Sequence, residues 1–233
     1  MGTGLILAVL IFVNPLLQAQ TPVDVTDFSE LAGWREILFQ EGDLPSTFEP
    51  VVADDATSIL RVRTEGGSSM IVLEEPVDID ETAILRWRWK LVDGLDSADL
   101  SRRRFEDAAI RVVVSFRNPL EDLPWWLRIW AAHQEGRHGE VPPTSAIMYA
   151  WAARPHEDAS FPIPYTDRIQ IVPVEDRPPS ERWQTVEVDV RADHERLFGE
   201  PPPETAFIGI MSDSDNTGES GEALVDYIRL DRR

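Results

Sequence analysis

The chain of 233 residues has no cysteine, which excludes disulfides, a thiolate nucleophile, a cysteine zinc site and a lipid-bearing cysteine. Lysine is almost missing as well: Lys90 is the only one, and 22 basic side chains face 42 acidic ones, giving a net charge of −20. Nucleic acids and anionic lipid surfaces both recruit clustered Lys and Arg, so this acidic excess argues against either partner. The nucleophile-elbow pattern GxSxG is absent, so no Ser-His-Asp triad can be read. Histidine is scarce, and none of His133, His138, His156 and His194 has the close spacing or carboxylate partner of a metal ligand. Ordinary structural usage is the better reading of all four.

Long apolar runs are few. Leu5–Leu17 (LILAVLIFVNPLL) is too short to span a bilayer comfortably, where about 20 residues are needed. It fits the hydrophobic region of a signal peptide with Ala19 as a small residue at the cleavage position, although MGTG lacks the usual basic residues. The expectation is a signal peptide over 1–20 and a domain over 21–233, exported to a bacterial periplasm or cell surface. No membrane span is expected after cleavage.

What is present is a full-sized core composition, 42% hydrophobic with eight Trp and nine Phe, which excludes wholesale disorder. Short apolar runs recur between Pro, Gly, Asp and Asn. They predict strands at Arg35–Gln40, Ile59–Thr64, Met70–Leu73, Ala83–Val92, Ala109–Arg117, Ala146–Ala152, Arg168–Val174, Trp183–Val190, Thr205–Ser212 and Ala223–Leu230. Proline clusters in the connections support that punctuation. Only Trp125–His133 and a turn near Asp193–Phe198 read as helical. The pattern predicts an all-β, single-domain antiparallel β-sandwich of jelly-roll type with one or two short helices.

Period-two alternation then assigns faces. In the run 84–91, Leu85, Trp87, Trp89 and Leu91 share one face and Arg86, Arg88 and Lys90 the other. In the next strand Ile110, Val112, Val114 and Phe116 oppose Arg111, Ser115 and Arg117. If these strands are neighbours, their cations share one sheet face. That face is either a solvated surface laced with ion pairs or a concave site whose Arg forks hold an anionic or hydroxyl-rich ligand. Tyr149 and Trp151 share a strand face and could line the same cleft, with Tyr165 closing over it. The candidate ligand residues are therefore Arg86, Arg88, Arg111, Tyr149, Trp151 and Tyr165.

The runs LRWRWK (85–90), RVVVSF (111–116), MYAWA (148–152), PYTDR (164–168) and IMSDSDNTGES (210–220) occur in this order. Together they resemble the bacterial domain-of-unknown-function family 3047, over roughly Phe28 to Leu230. The resemblance implies an exported bacterial protein and assigns no catalytic residue. Residues 119–145 look like a local helical insertion. The closing LVDYIRL is similar to the last strand of jelly-roll carbohydrate-binding modules.

The run Asp213-Ser-Asp-Asn-Thr-Gly-Glu219 is the most chemical loop. It opens like an EF-hand loop, but Leu224 stands where the bidentate Glu belongs, so that reading fails. A different calcium site from Asp213, Asp215, Glu219 and Asp226 survives, beside the alternative of Asx-turn chemistry. Asp226 shares a strand face with Leu224, Ile228 and Leu230, and needs a cation, an Arg or a bulge that turns it outward. The favoured function is non-catalytic ligand binding in the bacterial envelope, of a carbohydrate or another small ligand. The alternatives are a glycan-acting hydrolase or lyase using acids of 213–219, and a structural envelope domain that binds protein through Trp125, Trp126 and Trp130.

Overall fold

The computed structural model describes residues 23–26, 28–39, 44–53, 55–79, 83–119, 121, 128, 143–163, 166–180 and 182–232. The signal-peptide segment, the helix expected at Trp125–His133 and Tyr165 lie outside the described residues. All ten strands expected from the apolar runs form, with ends shifted by a few residues, and four further strands join them among the described residues.

The strands divide between two sheets. The first, sheet A, contains β1 (Val23–Thr26), β3 (Thr47–Val52), β4 (Ser58–Glu65), β7 (Ala83–Asp93), β12 (Gln184–Val188) and β14 (Ser220–Arg232), in the order β12-β7-β14-β4-β3 with β1 also paired to β14. Sheet B runs β10-β11-β9-β8-β13-β5-β2. These are Phe161–Ile163, Thr166–Glu175, Ser145–Trp151, Ala108–Phe116, Thr205–Asp213, Ser68–Leu73 and Trp34–Leu38, with β6 (Val77–Asp78) paired to β13. The hairpin β13–β14 sits with one strand in each sheet. β14 lies between β4 and β7, and β13 between β5 and β8. That wrapping of one two-strand ribbon between two others makes the sandwich a jelly roll. β9 and β11 pair in parallel, the one departure from the antiparallel expectation among the described strands.

Alternation explains the core. Leu85, Trp87, Trp89 and Leu91 of β7 face Ile110, Val112, Val114 and Phe116 of β8 and Ile147, Tyr149 and Trp151 of β9 across the sandwich. Trp87 packs on Tyr149 and Trp89 on Trp151, each with ring centroids 5.5 Å apart, and Trp87 meets Trp89 edge to face at 5.4 Å. These four rings form two rungs between the sheets. Such aromatic pairs contribute about 0.5–1.5 kcal/mol beyond the area they bury.

The helix α1 (Val190–Phe198) closes one side of the sandwich. Asp189 caps its N-terminus by accepting from Ala192 N at 2.9 Å, and Gly199 ends it at φ 77°, a left-handed C-terminal cap. His194, on this helix, is buried between Phe116 and Phe198, with its Nδ1 2.8 Å from the Glu200 carbonyl. Burial pushes its pKa below the ordinary imidazole value.

Candidate functional site

The outward-facing side chains of sheet A form a lattice of opposite charges. Register places Trp183 beside Lys90, Thr185 opposite Arg88 and Glu187 opposite Arg86 on one side of β7, with Leu224, Tyr227 and Arg229 opposite the same three residues on the other. Arg86 donates to Glu187 at 2.6 Å and lies 2.6 Å from Asp231. Arg88 donates to Asp226 at 2.9 Å, and Arg63 to Glu222 at 2.7 Å. Two aromatic rings stand in this lattice. Arg88 and Lys90 lie 5.1 and 5.4 Å from the Trp183 ring centroid, and Arg229 lies 4.4 Å from that of Tyr227. The pairs order the side chains more than they stabilise the fold, since exposed pairs contribute about 0–1 kcal/mol each.

Asp226 uses two of the three escapes that its position demands. A register shift between Val225 and Tyr227 interrupts the ladder to β7, and Arg88 supplies the counter-charge. Because of that bulge, Ala223 and Val225 point inward before it and Ile228 and Leu230 after it. Asp226 therefore serves the outer face of sheet A and stands apart from the acidic loop.

Asp213 ends β13 and is only 4% exposed. Arg111, fully buried, grips it with Nε at 3.0 Å and Nη2 at 2.8 Å, while its Nη1 donates to Glu106 at 2.9 Å. Ala108 N also donates to Asp213. Burial pushes the Asp213 carboxyl up to about 8, against the pull of Arg111 and with the push of Asp107, Glu106 and Asp215. Asp107, which the sequence reading passed over, completes the cluster. Its carboxylate accepts from Asn216 Nδ2 at 2.9 Å and Thr217 N at 2.8 Å, so it holds the loop that follows Asp213.

Hydroxyls fasten the same loop to its neighbours. Ser214 Oγ lies 2.8 Å from Thr64 Oγ1 and accepts from Gly66 N at 2.8 Å, and Ser46 Oγ donates to the Ser212 carbonyl at 2.8 Å. Gly218 takes φ 71°, a left-handed turn that glycine adopts without steric cost. Glu219 turns away from the aspartates and accepts from Ser97 N and Oγ, pinning the loop after β7.

Asp107, Asp213 and Asp215 each offer one oxygen within 4.8 Å of the others, which would suit a hard cation. The fit is limited, because Asp107 and Asp213 already give both oxygens to protein donors and the Arg111 guanidinium sits within hydrogen-bonding distance. Of the four carboxylates expected to converge, only Asp213 and Asp215 do. Their partner is Asp107, on the strand lead-in a hundred residues away, which no local spacing signals. Of the acids that the hydrolase alternative would use, Asp213 is buried against Arg111, Asp215 is exposed and Glu219 is held by Ser97.

The six expected ligand residues do not form one cleft. Arg86 and Arg88 lie on the outer face of sheet A. Arg111 belongs to sheet B, because the connection after β7 crosses the sandwich before β8 begins. Tyr149 and Trp151 point into the core, Tyr149 donating from its hydroxyl to Asp193 at 3.0 Å and Trp151 from Nε1 to the Arg177 carbonyl at 2.8 Å. Tyr165 is outside the described residues. The ring beside Arg88 and Lys90 is instead Trp183, and Tyr227, opposite Arg88 on β14, takes Arg229. Trp183 could have been found from its place at the start of a strand expected beside other exposed charges.

Several solved structures are similar to the chain over most of its length. The chain is similar to the family 11 carbohydrate-binding module of a cellulosomal cellulase from Clostridium thermocellum, at 15% identity, with 91% of this chain and 95% of that one covered and a TM-score of 0.44. A cleaved adhesin domain of Lys-gingipain from Porphyromonas gingivalis is similar at 10% identity, covering 91% and 99% with a TM-score of 0.40. A family 30 carbohydrate-binding module is similar at 10% identity, covering 81% and 83% with a TM-score of 0.40. No relative was found among the curated proteins. Residues 32–229, the body of both sheets, match the family described as protein of unknown function DUF3047, and the chain belongs to that family.

Proposed function

We propose that this protein is an exported, non-catalytic β-sandwich that binds carbohydrate on the outer face of sheet A. The observation that carries the reading is the ordered surface around Trp183 and Tyr227. Two half-buried rings, Trp183 just before β12 and Tyr227 on β14, are set among the strand-borne Arg86, Arg88, Lys90 and Arg229. Sugar recognition calls for an apolar ring against which a pyranose can lie and for fixed donors and acceptors beside it. The Arg–acid pairs provide both donors and acceptors, already held in place. Tyr227 and the four cations are strand-borne, which places them more precisely than loop positions would.

Export rests on the apolar run at 5–17 and its small-residue cleavage position. The test of binding is a panel of neutral and acidic polysaccharides presented to the full chain and to Trp183→Ala and Tyr227→Ala. Both variants should lose affinity about tenfold or more while melting within a few degrees of the parent. A parent that retains none of the panel, or variants that bind like it, would overturn the reading.

A further inference from the structure

The turn joining β7 to β8 is anchored on one side and charged on the other. Asp99, Leu100 and Asp107 are buried, Leu100 packing with Ala108, Ala150, Ala152 and Ile171. Between them Ser101 to Phe105 are all exposed. This stretch contains Arg102-Arg103-Arg104, the longest run of cations in a chain of net charge −20.

The turn is closed by its own hydrogen bonds. Asp99 N donates to the Phe105 carbonyl at 2.6 Å, Arg102 N to the Asp99 carbonyl at 2.9 Å, and Phe105 N to the Arg102 carbonyl at 2.7 Å. The Asp99 carboxylate accepts from Ser101 N at 3.1 Å and Oγ at 2.6 Å. Burial works against its charge, but Ser101, Arg102 and Arg154 outweigh it and hold the carboxyl below its ordinary value. Arg102 Nε lies 3.3 Å from the Asp99 carboxylate, and Arg154 Nη1, at 3.8 Å, brings a second guanidinium to it. Arg104 has no hydrogen-bond or ion-pair partner among the described residues, and Phe105 is 39% exposed. Exposed arginines next in sequence to an exposed ring, on a backbone fixed in advance, match an oxyanion carried on a sugar ring.

We infer that the turn 99–107 recognises the carboxylate or sulfate groups of an acidic polysaccharide, with Arg103 and Arg104 on the oxyanion and Phe105 against the ring. The geometry stands alone, but the choice of a glycan rests on the carbohydrate-binding reading above. An anionic bilayer fits less well, since a flat surface would bring the acidic remainder of the protein within the screening length of about 8 Å. A linear chain can meet the turn by itself. Nucleic acid fits less well too, because proteins that track it neutralise about 6–10 phosphates.

The test compares polygalacturonate, its methyl ester, a neutral glucan and phosphatidylglycerol vesicles, each against the full chain. Arg103→Gln/Arg104→Gln, Phe105→Ala and the control Arg191→Gln are carried alongside, with a melt of every variant. Polygalacturonate should bind more tightly than its ester, lose affinity as salt rises, and weaken about tenfold in the first two variants only. Arg104→Gln alone carries the comparison if the double variant does not fold. Equal, salt-insensitive binding of acid and ester would overturn the inference and leave carbohydrate binding intact. Binding of vesicles alone would replace the glycan with a lipid headgroup. Binding of neither polysaccharide nor glucan would overturn both readings together.

Discussion

The two sheets of this sandwich treat their outer faces in opposite ways. On sheet A the outward positions are Arg61, Arg63, Arg86, Arg88 and Lys90, answered by Glu222, Asp226, Glu187 and Asp231. On sheet B they are apolar: Val113, Ala146 and Met211 are buried there, with Met70, Met148 and Ile169 packed against them. Three of the four methionines of the chain meet on that face. Met70 lies across Gly209, where an added Cβ would come within 2.9 Å of its Sδ. Among the charges of that sheet, Arg111 is sealed beneath partners and touches the Met148 thioether at 3.7 Å.

The difference teaches what each cation is for. Arg86 and Arg88 are half-exposed, so their pairs cost little to break and leave the guanidiniums available to a ligand. Arg111 lies in a site of low dielectric, and its removal would leave the buried Asp213 carboxyl without its guanidinium donors and the half-buried Glu106 without its counter-charge. One face is an open surface held in order by ion pairs. The other is closed, and its chemistry serves the fold.

The largest break in this comparison should come from Arg111→Met, which is expected to lose about 3–5 kcal/mol in urea denaturation. Arg86→Met should lose no more than about 1 kcal/mol in the same assay. Equal costs would erase the distinction between the faces. Next in size, Gly209→Ala should cost about 1–3 kcal/mol by overpacking against Met70. Combining it with Met70→Ala should recover part of that loss, a coupling that a double-mutant cycle reads directly.

A smaller effect belongs to His194. Its native pKa lies below the unfolded value near 6.5, so the unfolded chain binds the proton more tightly. Stability is therefore full above about 6.5 and falls as pH drops from there toward the native pKa. Glu200, Glu195 and Arg168 bear on the same ring. His194→Leu should flatten the melting temperature between pH 7 and 5, and an unchanged slope would assign the acid sensitivity to another group.

The smallest expected effect is that of calcium. Since Arg111 already faces Asp213 and the loop is tied by protein donors, millimolar calcium should move the melting temperature by no more than a degree or two. A rise of several degrees, abolished in Asp215→Asn, would instead make Asp107, Asp213 and Asp215 a metal site.

Much of the fold was legible because alternation is a local property. Leu85, Trp87 and Trp89 announce an inward face whatever strand lies beside them. The strands that alternation passed over lack that signal: β3 carries Pro50 and Glu49, and β1, β6 and β10 are two to four residues long. They are strands because a partner offers an edge. The candidate site was less legible because it depends on which sheet each strand joins. β7 and β8 read alike, with cations on one face, yet the connection between them crosses the sandwich and separates Arg88 from Arg111. Likewise, Arg111 and Ser115 suggested a solvated face on β8, where all nine residues are buried. Asp226 was legible as a problem, and its solution by bulge and Arg88 was among those the sequence allowed.

The most direct test sets one face against the other in a single binding experiment. The polysaccharide panel would be presented to Trp183→Ala/Arg88→Gln from sheet A and to Met148→Gln/Met211→Gln from sheet B, alongside the parent. The account predicts that the sheet A variant loses binding at an unchanged melting temperature, whereas the sheet B variant loses stability and binds normally while folded. Binding that survives in the first variant and disappears from the folded second would contradict it.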